Sequence, residues 1–110
     1  MNVSKDLVAA SAIPLILAIL KENDNYGYSI IKKVKELSGN ELFWTEGMLY
    51  PVLHRLEEQG LIEAYWKDSQ TGRQRKYYKI NEAGLKELDI QKKQWEMVHL
   101  TLLKSLENNH

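Results

Sequence analysis

Residues 45–80 read TEGMLYPVLHRLEEQG and then LIEAYWKDSQTGRQRKYYKI, and the hydrophobic period changes once inside them. In the first part Leu49, Val52, Leu53 and Leu56 recur every three or four residues, which is one face of a helix. Thr45 is placed to cap that helix by accepting a backbone amide, and Gly60 to stop it after Gln59. From Leu61 the pattern becomes that of strands. Leu61 to Lys67 and Arg73 to Ile80 are rich in β-branched and aromatic residues, and Asp68-Ser69-Gln70-Thr71-Gly72 between them is turn chemistry. This stretch therefore predicts a helix followed at once by a two-stranded hairpin with a polar tip.

Upstream lie two more helices. Lys5 to Lys21 is strongly apolar, with Pro14 expected to kink it or delay its start, because proline offers no amide donor. Glu22-Asn23-Asp24-Asn25 breaks the chain. Tyr26 to Leu37 then sets Ile30, Ile31, Val34 and Leu37 against Lys32, Lys33 and Lys35, and Ser38-Gly39-Asn40 ends that helix. Downstream, a long helix starts after Asn81 and reaches about Leu106. The order helix, helix, helix, strand, strand, helix predicts a mainly α (α+β) winged helix-turn-helix with the third helix as its reading element. Residues 1–80 form the DNA-binding unit, the first helix also contributing to a dimer, and residues 81–110 form a dimerisation helix and tail.

Composition narrows the function. A chain of 110 residues, 44% apolar and 27% charged, is one globular domain. It has no cysteine, so disulfides, thiolate metal sites and cysteine nucleophiles are excluded. The apolar run Leu7 to Leu20 has 14 residues and contains Pro14, too short for the roughly 17–25 of a spanning helix. A core helix and a cytoplasmic location are the expectation. Three histidines, His54, His99 and His110, stand in three different contexts, and no phosphate loop, nucleophile elbow or ligand cluster accompanies them. Neither catalysis, nor a metal, nor a cofactor is expected.

The formal net charge is zero, but it is unevenly spread. Between Trp66 and Lys79, Lys67, Arg73, Arg75, Lys76 and Lys79 face Asp68 alone, a net of +4. A protruding cationic hairpin suits DNA phosphates, since each cation near the backbone releases condensed counterions. If the apolar stripe of the third helix faces inward, Gly47, Tyr50, Pro51 and His54 face outward, with Met48 and Arg55 at the borders. Gly47 admits a phosphate or base edge to free amides, Tyr50 can donate its hydroxyl to a phosphate, and His54 and Arg55 can reach backbone or bases. Pro51 is expected to bend the first turn toward the groove. The expected DNA-binding set is Lys32, Gly47, Met48, Tyr50, Pro51, His54, Arg55, Arg73, Arg75 and Lys76. The plainer alternative is that Tyr50 merely covers the surface and Arg55 pairs with Glu58 or Glu36.

Along the last helix Leu88, Gln91, Trp95, Val98 and Leu102 alternate in steps of three and four, a heptad-like seam bordered by Leu85, His99, Leu103 and Leu106. A small domain cannot cover all of this alone, so a homodimer is expected through Leu85, Leu88, Trp95, Val98, Leu102 and Leu106. Two-fold symmetry would then place two reading helices on a palindromic operator. Trp95 is either a dimer-core residue or, paired with its twin, one wall of a cavity for a flat aromatic ligand. The candidates round that ligand are Trp95, Leu88, Gln91, Val98 and His99, with Met97 and the first helix nearby. His99, one turn beyond Trp95, faces solvent or the interface.

The strings NYGYSII at 25–31, GMLYPVLHRLE at 47–57, GLI at 60–62, Gly72 and RKYY at 75–78 resemble the PadR-like transcriptional regulators, in order and with matching spacing over nearly the whole chain. The single C-terminal helix resembles the small subfamily, and Tyr65-Trp66 together with Trp95 is similar to its multidrug-binding repressors. The resemblance implies a dimeric winged-helix repressor of nearby transporter or stress genes, released by a small molecule that paired tryptophans at Trp95 sandwich. Met48, where the family usually has a small hydroxyl residue, and Pro14, in the helix that lines the drug pore, depart from its pattern. The competing reading is a winged-helix protein-interaction module without effector binding, which the neutral total charge favours and the cationic hairpin opposes.

Overall fold

Ser4 Oγ accepts the Leu7 amide at 3.2 Å and starts α1, Lys5–Glu22. The computed structural model describes residues 1–107, so His110 lies outside the described residues. Pro14 neither delays α1 nor breaks it. The carbonyl it leaves without an amide partner belongs to Ala10, an exposed residue that water can serve. Meanwhile Ala12, Ile16, Leu17, Ile19 and Leu20 hold the helix in the core. Burial on both sides of the proline outweighs one missing hydrogen bond.

A short strand β1, Asn25–Tyr26, leads directly into α2, Gly27–Leu37. Thr45 Oγ1 accepts the Met48 amide at 3.2 Å and opens α3, Glu46–Glu58. Gly60, at φ 73°, then turns the chain into β2, Ile62–Asp68. The tip closes through Ser69 N–H to Arg73 O at 2.8 Å and Gly72 N–H to Ser69 O at 3.0 Å. β3, Gln74–Ile80, returns, and α4, Glu82–Glu107, completes the chain.

The sheet has three strands in the order β1-β3-β2, not the two expected. β1 pairs antiparallel with β3, Asn25 opposite Tyr78 and Tyr26 opposite Tyr77. β2 pairs with β3 along its whole length, from Ile62 opposite Ile80 to Asp68 opposite Gln74. The core gathers α1 residues with Ile30, Val34, Trp44, Leu49, Leu53, Leu56, Ile62 and Tyr78. At Tyr78 burial pushes the phenol pKa up to about 12, with the Glu57 carboxylate adding to the effect.

The root of α4 is tightly fixed. Asn81 Oδ1 accepts the Gly84 amide at 2.9 Å, while its Nδ2 donates to Gly60 O at 2.8 Å. Gly84 is needed for space and not for backbone freedom, because a Cβ there would lie 2.2 Å from Leu61 O. Gly84→Ala should therefore destabilise the fold by about 1–3 kcal/mol, overpacking outweighing the roughly 1 kcal/mol gained in helix propensity. Urea unfolding measures this. An unchanged midpoint would mean that the first turn of α4 moves aside freely.

Beyond Gln91 α4 runs along the surface and out of the core. Residues 92–107 are all exposed, and the chain measures 61 × 30 × 21 Å along its principal axes.

Candidate nucleic-acid interface

The amphipathic pattern of α3 places its side chains as the sequence requires. Leu49, Leu53 and Leu56 are fully buried and Val52 is half-buried. Gly47, Tyr50, Pro51, His54 and Arg55 are exposed and Met48 is half-buried. The Glu58 carboxylate is not taken by Arg55: it meets His54 Nε2 at 2.7 Å, one helical turn away. Tyr50 does not simply cover the surface of its own helix. Its ring reaches across to Gly27 in the first turn of α2.

Strand alternation divides the cations of β3 between two faces. Lys76 shares a face with buried Tyr78, its Nζ 5.6 Å from that ring and 3.6 Å from Glu57 Oε1. Arg75 lies on the opposite face, its guanidinium 4.5 Å from the Tyr26 ring centre. On that same face Tyr77 stands between Tyr26, at 5.3 Å, and Tyr65, at 5.8 Å, with Lys67 Nζ 5.1 Å from the Tyr77 ring. Tyr65 Oη donates to Asp24 Oδ2 at 2.7 Å, and this bond to a carboxylate raises the phenol pKa. Aromatic rings thus hold the wing cations in place while leaving them exposed.

β1 covers only two residues of β3, and where it stops a cleft of about 470 Å³ opens. Tyr50 enters it from α3, Tyr26, Gly27 and Tyr28 from the β1–α2 junction, and Trp66, Arg75 and Lys76 from the wing. Of the ten candidate DNA residues, Tyr50, Arg75 and Lys76 meet here. Lys32, Gly47, Met48, Pro51, His54, Arg55 and Arg73 do not line the cleft. Tyr28 and Trp66, 63% and 64% exposed, belong to this surface and were missed. Trp66 precedes Lys67 in a cationic stretch, which the sequence shows, whereas Tyr28 is brought here by the fold alone. Trp66, which the resemblance associates with drug binding, lies here and not beside Trp95.

A second hollow, of about 1100 Å³, lies between α1 and α4. Leu7, Pro14 and Leu15 form one wall, and Leu85, Leu88 and Trp95 the other. Gln91, Val98, His99 and Met97 do not line it. Gln91 Nε2 instead donates to Glu87 Oε2 at 2.8 Å, and Val98, His99 and Met97 stand exposed. The groove is lined by Leu85, Leu88, Asp89, Lys92, Trp95 and Glu96, a helical stripe that the heptad seam overlaps only in part. Among the described residues no group of three or more His, Asp or Glu side chains could hold a metal, and no helix is long and apolar enough to cross a membrane.

Comparison with known proteins agrees with this architecture. Residues 16–90 match the model of the transcriptional regulator PadR-like family. A transcriptional regulator from Clostridium thermocellum superposes with a TM-score of 0.84 at 30% identity, covering 93% of this chain and 96% of that one. A PadR-like transcriptional regulator from Bacillus cereus gives 0.83 at 32% identity, covering 96% and 100%. An uncharacterized protein of Lysinibacillus sphaericus is 35% identical over 96 residues, 87% of this chain and 88% of that one. The family and these solved neighbours are transcriptional regulators and not enzymes. With its helix-turn-helix order, cationic wing and long final helix, the chain belongs to the PadR-like family and is a winged-helix, DNA-binding transcriptional regulator.

Proposed function

We propose that the protein is a cytoplasmic homodimeric repressor that sits on a palindromic operator and is released by a small planar aromatic ligand. The observation that carries the DNA-facing half is the convergence of Tyr50 from α3 with Arg75 and Lys76 from the wing on one cleft. In this reading α3 enters the major groove with Gly47, Met48, Tyr50, Pro51, His54 and Arg55. Lys32, Arg73, Arg75 and Lys76 neutralise flanking phosphates. The dimer half rests on α4, where Trp95, Val98, Leu102 and Leu106 are 38%, 65%, 56% and 59% exposed, and among the described residues no other helix or strand lies over the last three. A second α4 supplies that cover, with Leu85 and Leu88 extending the contact toward α1.

The ligand is placed in the groove between α1 and α4, where Trp95 and Leu88 offer flat and apolar surface. Gln91, Val98 and His99 reach the ligand only from across the two-fold axis or through a rearranged dimer. Gel-shift assays on DNA upstream of the protein's own gene, with and without planar aromatic dyes, test the whole reading. A retarded complex that dissolves on adding dye supports it, and no complex at any dye concentration refutes it.

Trp95→Ala provides the sharper measurement. Dye binding, read by fluorescence, should weaken at least tenfold while the dimer persists in gel filtration. Equal dye affinity in a dimeric variant would move the ligand elsewhere. The protein-interaction alternative makes an opposite prediction about salt: phosphate binding falls steeply between low and moderate ionic strength, and an apolar protein interface does not.

A further inference from the structure

Gly27 is the first residue of α2, and it is buried. It is not among the glycines with positive φ, which are Gly39, Gly60 and Gly72, so its backbone suits any L residue. The constraint is steric and comes from one side chain. A Cβ at Gly27 would lie 2.5 Å from Tyr50 Oη, 2.8 Å from its Cζ and 3.1 Å from Cε1. Atoms do not approach so closely, so the phenol rests where it does because Gly27 has no side chain.

Among the described residues Tyr50 makes no side-chain hydrogen bond, and it is 43% exposed. Its ring is free to take another rotamer if pushed, and α3 need not move, because Leu49 and Leu53 on either side of it are fully buried. A methyl group at Gly27 would therefore redirect the ring rather than unfold the domain. The ring it redirects forms part of the wall of the cleft that also holds Tyr28, Trp66, Arg75 and Lys76.

We infer that Gly27 is a positioning residue for DNA binding: by lacking a Cβ it seats the Tyr50 phenol across the start of α2 and so keeps the cleft between α3 and the wing in the shape that receives a DNA strand. This rests on the DNA-facing reading above. The role is carried by Tyr50 alone. On this inference Gly27 acts through the ring and supplies no phosphate contact of its own.

The test is a double-mutant cycle on the full chain with a duplex that the parent binds, using Gly27→Ala, Tyr50→Ala and the pair together. Gly27→Ala should weaken binding about tenfold with an unchanged urea midpoint. It should also leave the slope of log affinity against log salt unchanged, because a neutral ring has moved and not a phosphate-binding cation. In the Tyr50→Ala background the same substitution should have no further effect. Should Gly27→Ala alone fold poorly, the double variant, which removes the clash, should fold like Tyr50→Ala.

Parent-like DNA affinity in Gly27→Ala overturns the inference, and so does an equal loss with and without Tyr50. A loss of salt slope would show that the wing itself had shifted, and would also overturn it. The wing variant Arg75→Ala/Lys76→Ala separates this failure from that of the underlying reading. If it too binds like the parent, the DNA face has been misplaced; if it loses affinity while Gly27→Ala does not, only the positioning role falls.

Discussion

A chain carrying Leu102→Asp and Leu106→Asp will sediment as a monomer and bind a palindromic duplex roughly 10²–10³-fold more weakly than the parent. Both leucines lie on the part of α4 that no other element covers, at 56% and 59% exposure. Covering a leucine removes apolar surface worth about 1.5–3 kcal/mol when complete. In a two-fold interface each substitution counts twice, and each would press a charge into an apolar contact. DNA affinity follows because two linked half-site readers bind as one unit, an advantage of about 10²–10⁴-fold that a monomer forgoes. The fold of each chain should persist, since neither leucine belongs to the core, and any fall in melting temperature should reflect the lost dimer alone. Sedimentation and a gel shift decide the matter. A variant that remains dimeric would place the interface on another surface.

The second large effect is expected from the wing. Arg75→Ala with Lys76→Ala should lower affinity for every duplex by at least roughly 10²-fold, taking about 1.5–3 kcal/mol for each charged hydrogen bond to phosphate. The loss should be nearly independent of sequence, and the salt slope should fall by about two for each wing, so by about four for the dimer. Lys76 accounts for the smaller share, because Glu57 at 3.6 Å already competes for its charge. Arg75 accounts for the larger, held 4.5 Å from the Tyr26 ring by a contact that leaves the guanidinium donors open to a phosphate. Fluorescence anisotropy at two salt concentrations measures both quantities. Unchanged affinity at moderate salt would mean that the hairpin does not reach DNA.

The parts of the fold governed by local chemistry were readable. Thr45 caps α3, Gly60 turns the chain into β2 and residues 69–73 close the hairpin, each within a residue or two of expectation. What escaped depends on distant partners. β1 is two residues long and exists only because Tyr77 and Tyr78, some fifty positions later, pair with it. No period can signal so short a strand. Pro14 misled for a related reason: its local penalty is visible in sequence, whereas the burial of Ile16 and Leu17 that overrides it is tertiary.

The candidate site divides in the same way. Tyr50, Arg75 and Lys76 could be picked out by helix face and local charge, and the chain folds so that they meet in one cleft. Tyr28 and Trp66 belong to that cleft only because β1 stops where it does. The Glu58 pairing went to His54 because one full helical turn aligns those side chains. On α4, a heptad seam describes what a partner helix would meet, while the groove against α1 selects its own stripe. Gln91, Val98 and His99 fall outside the second for that reason.

The clamp at Asn81 and Gly84 has a mechanical consequence. One end of a rod 26 residues long, about 39 Å at 1.5 Å per residue, is bolted to the base of the hairpin through Gly60 and Leu61. Were it to pivot there as a rigid body, a displacement of its free end by about 3 Å would turn the root by roughly 4°. In a pair of such rods, any change in their scissor angle would re-aim both hairpins together and alter the span they can bridge along a double helix.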